Sequence, residues 1–338
     1  MTWRYIKKRK KNIPFGTFLE NKLMNRKAVI FGIKGTQLTN EERYLIKTEK
    51  PWGIILFSRN VKNLFQLKQL TNDIKKSIKD KNYPILIDQE GGKVSRLNAI
   101  IDLSFFSQDY FGRLYKKDKK FFYQHYKIYI DKICDVLRKA GININTVPVL
   151  DVRRKLSHNV IGTRSFSRDA GAVTKIGGIC IDLHNKNKIA TVVKHIPGHG
   201  LTRNDSHHDL PVVRAKKNEL IANDFKPFRK NKSLLAMTAH VVYSVYDSIY
   251  TATHSEIVIN DVIRNHIGFK GILISDDILM KALEYGLENN AKKALDAGCN
   301  LILHCNGNIK EMNKLVKVIP KIDKFTQKKT SHLYKFLG

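Results

Sequence analysis

Short apolar runs recur along the whole chain, and polar residues cluster where they end. The runs are AVIFGI (28–33), GIILF (53–57), PILID (84–88), INTVPVLDV (144–152), ATVVKH (190–195), LLAMTAH (234–240), GILISD (271–276) and NLILHC (300–305). Most are rich in Ile, Val and Leu and too short for helices. Near-continuous apolar runs of this length mark parallel strands buried on both faces. Charge-rich segments with apolar residues at helical spacing separate them, among them QLKQLTNDIKKSIKD (66–80) and FFYQHYKIYIDKICDVLRKAG (121–141). The second ends in Gly141, a residue suited to a helix C-cap.

Strands alternating with helices in this number predict an α/β fold, a single-domain (β/α)8 TIM-type barrel. A doubly wound open sheet is the competitor. The barrel is favoured because Asp88, Asp151, Lys194, His195, His240, Asp276 and His304 fall at run ends. Barrel chemistry sits at the C-terminal ends of many strands, whereas an open sheet concentrates it at one switch point. There is no GxGxxG after the first run and no GxxxxGK[ST], so nucleotide binding has no support. Residues 1–26 are expected to form a flexible basic extension, residues 27–330 the barrel, and residues 331–338 a C-terminal tail. MNRKAVIFGIKG from Met24 reads as a natural beginning.

Composition changes this picture little. Hydrophobic residues make up 42% of the 338, enough for a large core. No run is long and apolar enough to span a membrane, and the N-terminus lacks the apolar region of a secretory signal. The four cysteines form no CxxC pair, which fits free thiols in a reducing, cytoplasmic setting. The net charge of +31 raises the question of a nucleic-acid or membrane-surface partner. The lysines are spread along the chain without an accompanying nucleic-acid signature, however. They are read as compositional drift of the kind an AT-rich genome produces, and no specific nucleic acid is expected. The one tight basic run is KKRKK at 7–11.

Four stretches carry candidate chemistry. KHIPGHGLTRNDSHHDLP (194–211) is rich in histidine. His195 and His199 are four apart, but Pro197 and Gly198 lie between them and resist a helix, so the spacing of a helical metal pair does not apply. The segment reads as a strand end followed by a glycine-rich loop. Within it, Asp205 and His207 stand close enough for a carboxylate to orient an imidazole as a general acid and base, although D-x-H by itself reads first as an ordinary polar surface loop. In GILISDDILM, Asp276 and Asp277 follow a buried run. Ser275 or one aspartate is expected to cap a following helix, leaving the other carboxylate to face the barrel mouth. In ILIDQEGGKVSRL, Asp88 and Arg96 suit sugar hydroxyls or a ligand carboxylate, or simply a salt-bridged loop. In IGTRSFSRD, Arg164 sits between small residues and an aromatic.

Together, KHIPGHG with a following D-S-H, DQEGG-x-V-x-R upstream, IGTRSF between and SDD-x-x-M downstream resemble glycoside hydrolase family 3. The single-domain bacterial β-N-acetylhexosaminidases of cell-wall recycling are most similar, and GIILFSRN and NTVPVLDV also match that subgroup. The resemblance runs in order from about residue 27 to about residue 305. It implies Asp276 as nucleophile of a retaining mechanism and His207 with Asp205 as acid/base dyad. It implies Asp88, Arg96, Arg164, Lys194 and His195 as residues holding a terminal N-acetylglucosamine. No metal or other cofactor is implied. The expected substrates are N-acetylglucosamine-containing muropeptides, namely GlcNAc linked to anhydro-N-acetylmuramic acid with or without peptide, handled by a monomer. Lys93 and Ile196 stand where the family more often has Arg and Phe. His199 and His208 carry no assigned role. Two other activities remain open at this level: phosphorolysis in place of hydrolysis, and action on glucosides or xylosides. A non-catalytic basic binding protein on a retained barrel is the remaining alternative.

Overall fold

The computed structural model describes residues 25–154, 161–202 and 210–338. Eight parallel strands close into a barrel. They are β1 (Lys27–Gly32), β2 (Pro51–Leu56), β3 (Ile85–Ile87), β4 (Ile144–Asn145), β5 (Ala190–Ile196), β6 (Leu235–Thr238), β7 (Ile272–Asp277) and β8 (Leu301–His304). Each strand pairs with its neighbours in the sequence. The ring closes where β1 meets β8, with Val29 opposite Ile302 and Phe31 opposite His304. All eight apolar runs therefore become barrel strands. They read as continuous because both faces are covered, by side chains inside the barrel and by helices outside.

The fourth run is the shortest as a strand. Its regular pairing stops at Asn145, since Pro148 has no N–H to give the ladder. Contact resumes as an isolated bridge between Val149 and Lys194. That bridge holds the end of the run against β5 and brings Asp151 beside His195.

Helices fill the connections as their sequences predict. Most of the segment 66–80 lies in α1 (Leu64–Ile78), where the Asn63 side chain accepts from the Gln66 N–H. Most of residues 121–141 lie in α3 (Lys119–Lys139), with α2 (Gln108–Lys117) before it. Gly141 takes φ 77°, the left-handed conformation anticipated for it. Among the described residues, no helix is long and apolar enough to cross a membrane. The four cysteines are free.

Both proposed boundaries of the barrel move outward. Arg26, placed by sequence in the basic extension, is 1% exposed. Its guanidinium pairs with Asp80, donates to the Trp52 carbonyl at 3.2 Å and lies over the rings of Tyr83 and Tyr334. A buried cation requires such partners. The residues set apart as a tail also belong to the body. The last helix runs from Lys324 to Leu337 and buries Leu333 and Tyr334. Tyr334 donates to Asp80 at 2.7 Å, and Trp52 donates to Thr330 at 2.8 Å.

Candidate active site

Every described residue singled out from the sequence stands at the C-terminal end of the barrel. Asp88 follows β3, Lys194 and His195 lie near the end of β5, and Asp276 is the penultimate residue of β7. Arg96 and Arg164 reach in from the loops after β3 and β4. Asp205 and His207 lie outside the described residues.

Two carboxylates and three cations form one network. Lys194 donates to Asp88 and lies 2.6 Å from Glu90 Oε1. Arg96 donates to the other Asp88 oxygen at 2.9 Å, and Thr146 donates to Asp88 at 2.6 Å. Arg164 grips Glu90 with two parallel bonds of 2.7 Å each, the fork geometry that a guanidinium offers a carboxylate. Lys194 and Glu90 are almost fully buried, and Asp88 is 16% exposed. Burial alone would push the Asp88 carboxyl up. Lys194, Arg96 and Arg164 outweigh it and hold Asp88 well below the usual carboxylate range. Glu90 is held down in the same way by Arg164 and Lys194. Burial opposes the Lys194 ammonium, but Asp88 and Glu90 overcome it and keep the amine charged.

A second chain of contacts leads to Asp276. Asp151 has no exposed side-chain surface, and its Oδ2 accepts from His195 Nδ1 at 2.7 Å. Its Oδ1 accepts from the backbone N–H groups of His199, at 2.6 Å, and His195, at 3.3 Å. On the far side of the ring, His195 Nε2 stands 3.9 Å from Asp276 Oδ2. Asp276 Oδ1 accepts from the Asp277 N–H at 2.8 Å. Among the described residues, Asp276 Oδ2 accepts no hydrogen bond. Burial raises the Asp276 carboxyl, yet His195, His240, the Asp277 N–H and Lys194 together bring it below its ordinary value. The result is an anion with one oxygen anchored and the other presented at the barrel mouth.

The sequence profile of the Glycosyl hydrolase family 3 N terminal domain matches residues 18–332. The chain belongs to glycosyl hydrolase family 3. A β-hexosaminidase of Neisseria meningitidis serogroup C is 34% identical over 288 residues, covering 83% of this chain and 78% of its own. A β-hexosaminidase of Haemophilus influenzae is 32% identical over 289 residues, covering 82% and 79%. NagZ from Neisseria gonorrhoeae, in complex with N-trifluoroacetyl-D-glucosamine, superposes with a TM-score of 0.81 at 31% identity, over 92% of this chain and 90% of that one. A family 3 β-N-acetylglucosaminidase from Paenibacillus sp. str. FPU-7 gives a TM-score of 0.80 at 29% identity; 94% of this chain is covered but only 62% of that longer protein. The chain is thus a family 3 glycoside hydrolase akin to bacterial β-hexosaminidases, and its closed single barrel is the family fold.

Within this family 3 barrel, sequence reasoning overlooked Glu90 and Thr146 and left Asp151 as an unassigned strand end. Glu90 sits in DQEGG beside Asp88, and a charged residue in a glycine-rich turn carries no mark of burial. The residues that pair with it, Arg164 and Lys194, lie far along the chain and meet it only when the barrel closes.

The expectation for SDDILM needs correction. No helix begins at Ser275 or the aspartates. The segment turns, and the next helix starts at Leu287. The Ser275 hydroxyl instead accepts from the Leu303 N–H at 3.0 Å, and Asp277 accepts from the Leu279 and Cys305 N–H groups, each at 3.3 Å. Burial pushes the Asp277 carboxyl up to about 6, with the Asp276 charge beside it adding to the shift and the Leu279 and Cys305 N–H groups opposing it. The unfolded chain gives up this proton near pH 4, whereas the folded chain keeps it to about pH 6. Stability is therefore lost as pH rises through that window, on the order of 1–3 kcal/mol, the lower end allowing for partial exposure. Asp277→Asn keeps the acceptor oxygen and removes the charge. It should unfold like the parent at pH 4 and at higher temperature than the parent at pH 7.5. Identical melting curves at both values would show that Asp277 ionises normally.

Proposed function

We propose that this enzyme is a retaining β-N-acetylhexosaminidase that releases terminal β-linked N-acetylglucosamine from muropeptides. Asp276 is the nucleophile, and His207 with Asp205 is the acid/base dyad. Asp88, Arg96, Arg164, Lys194 and His195 surround the terminal sugar. The observation that carries this reading is the Asp276 carboxylate: ionised, fixed through Oδ1 and open at Oδ2.

Asp276 Oδ2 attacks the anomeric carbon while the bond to the leaving oxygen breaks. The imidazolium of His207 gives that oxygen a proton, and Asp205 steadies the ring. The neutral imidazole then takes a proton from water. Water displaces Asp276, and two inversions leave the anomer retained. The charged network opposite suits a sugar. The ionised carboxylate of Asp88 accepts from hydroxyls, while Arg96 and Lys194 donate. Muropeptides carry carboxylates, and the basic surface would draw them in to a degree that salt screens.

His207→Ala separates this mechanism from one in which another group supplies the proton. Natural disaccharides, whose leaving group needs protonation, should lose roughly 10²- to 10⁴-fold in turnover. Aryl glycosides with acidic leaving groups should lose far less in forming the glycosyl-enzyme. Equal losses in that step on both substrates would remove His207 from the acid role.

A further inference from the structure

The carboxylate of Asp151 is buried and bonds His195, one of the residues at the C-terminal end of the barrel. It has no exposed side-chain surface and three protein donors, so its ionised form is fully engaged inside the fold. Removing an ion from water costs several kcal/mol even after partners are found, and an apolar residue would avoid that cost. What the carboxylate does is directional. Its Oδ1 is occupied by two backbone N–H groups, which leaves Oδ2 facing the His195 ring. An ionised oxygen only accepts, so the proton on that side of the ring is on Nδ1. The opposite nitrogen, Nε2, then looks toward Asp276 from 3.9 Å, too far to tie up the Asp276 oxygen.

We propose that Asp151 is a positioning residue for glycosyl transfer: it fixes the orientation and tautomer of His195, so that Nε2 faces the sugar and the open oxygen of Asp276. Position along the chain explains how this arises. The Val149–Lys194 bridge sets the end of the fourth run, beyond β4, against β5, two residues before Asp151 and one before His195. His199 adds a second link, since its N–H bonds Asp151 and its ring lies 5.7 Å from that of His195. The unit Asp151–His195–His199 is thus built before the loop beyond it departs. Its kinetic consequence rests on the hexosaminidase reading above; its proton placement does not.

Asp151→Asn tests both parts. The two backbone N–H groups keep the amide oxygen, which turns the amide NH2 toward His195 Nδ1. That nitrogen must then accept, and the proton moves to Nε2. In ¹⁵N-histidine-labelled protein, His195 should change from Nδ1-protonated to Nε2-protonated. A loss of roughly 10²- to 10⁴-fold in kcat on an aryl β-N-acetylglucosaminide is expected, the range seen when a carboxylate that orients a catalytic histidine is replaced. KM should move much less. Asp151→Asn combined with His195→Gln should be no slower than His195→Gln alone, because the two residues act as one unit.

A folded Asp151→Asn variant with parental kcat overturns the proposal, as does strict additivity with His195→Gln. If the parent turns over no β-N-acetylglucosaminide, the functional reading fails, and the nitrogen spectra still decide where the proton sits. If Asp151→Asn does not fold, the parent spectrum decides: Nδ1 protonated supports the proposal, and Nδ1 bare overturns it.

Discussion

Asp276→Asn is expected to fold as the parent does and to lose roughly 10³- to 10⁶-fold in turnover of every β-N-acetylglucosaminide. The fold should survive because the one protein hydrogen bond described for this side chain is kept: an amide oxygen can accept from the Asp277 N–H as Oδ1 does. The activity should not survive, because an amide is a poor nucleophile and cannot balance positive charge developing at the anomeric carbon. The charge also matters to the surroundings. His195 stands between Asp151 and Asp276, and His240 contributes to holding Asp276 ionised. Binding of N-acetylglucosamine itself should change much less than turnover, since none of the hydrogen bonds that hold Asp88 involves Asp276. Calorimetric titration with the free sugar, beside turnover, separates the two effects. Parental turnover in Asp276→Asn would remove it from the nucleophile's role.

Lys194→Met is expected to cost about 3–5 kcal/mol of stability near neutral pH, as well as most activity. A single ammonium there joins Asp88 to Glu90, and removing one member of a buried charged group leaves the others uncompensated. Methionine fills much of the stem's volume, so little of the loss would come from a cavity. The pH dependence identifies the cause. In the parent, Lys194 helps hold both carboxyls below their usual range, and they remain ionised through the mildly acidic region. Without it they protonate within the fold at higher pH than in the parent. The variant's deficit should therefore shrink as pH falls from 7.5 toward 5. Urea unfolding at the two values measures this. A deficit that is constant with pH would assign the loss to packing instead.

The architecture was legible because parallel barrel strands are buried on both faces. Runs such as AVIFGI and GIILF could hardly be anything else at that length, and polar residues at their ends gave away the face where chemistry gathers. Asp88, Lys194, His195 and Asp276 were singled out in this way, and all four lie at that end of the barrel. Partnership was not legible. Arg164 was singled out, but its partner Glu90, joined to it by two parallel bonds, was not. Asp151 read as one more strand end, and it proves to hold His195. Such pairs are set by closure of the ring, which brings together loops from β3, β4 and β5 that are distant in sequence. The burial of Arg26 was hidden for a related reason. Arg26 looks like the last of a basic stretch, and only Asp80, Tyr83 and Tyr334 make it a core residue.

The most direct measurement compares turnover of an aryl β-N-acetylglucosaminide with that of the matching β-glucoside, each with and without phosphate. The account predicts strong preference for the N-acetyl sugar, free N-acetylglucosamine as product and no effect of phosphate. Formation of a sugar 1-phosphate would make the enzyme a phosphorylase. Equal or better turnover of the glucoside, or none of either, would contradict the account.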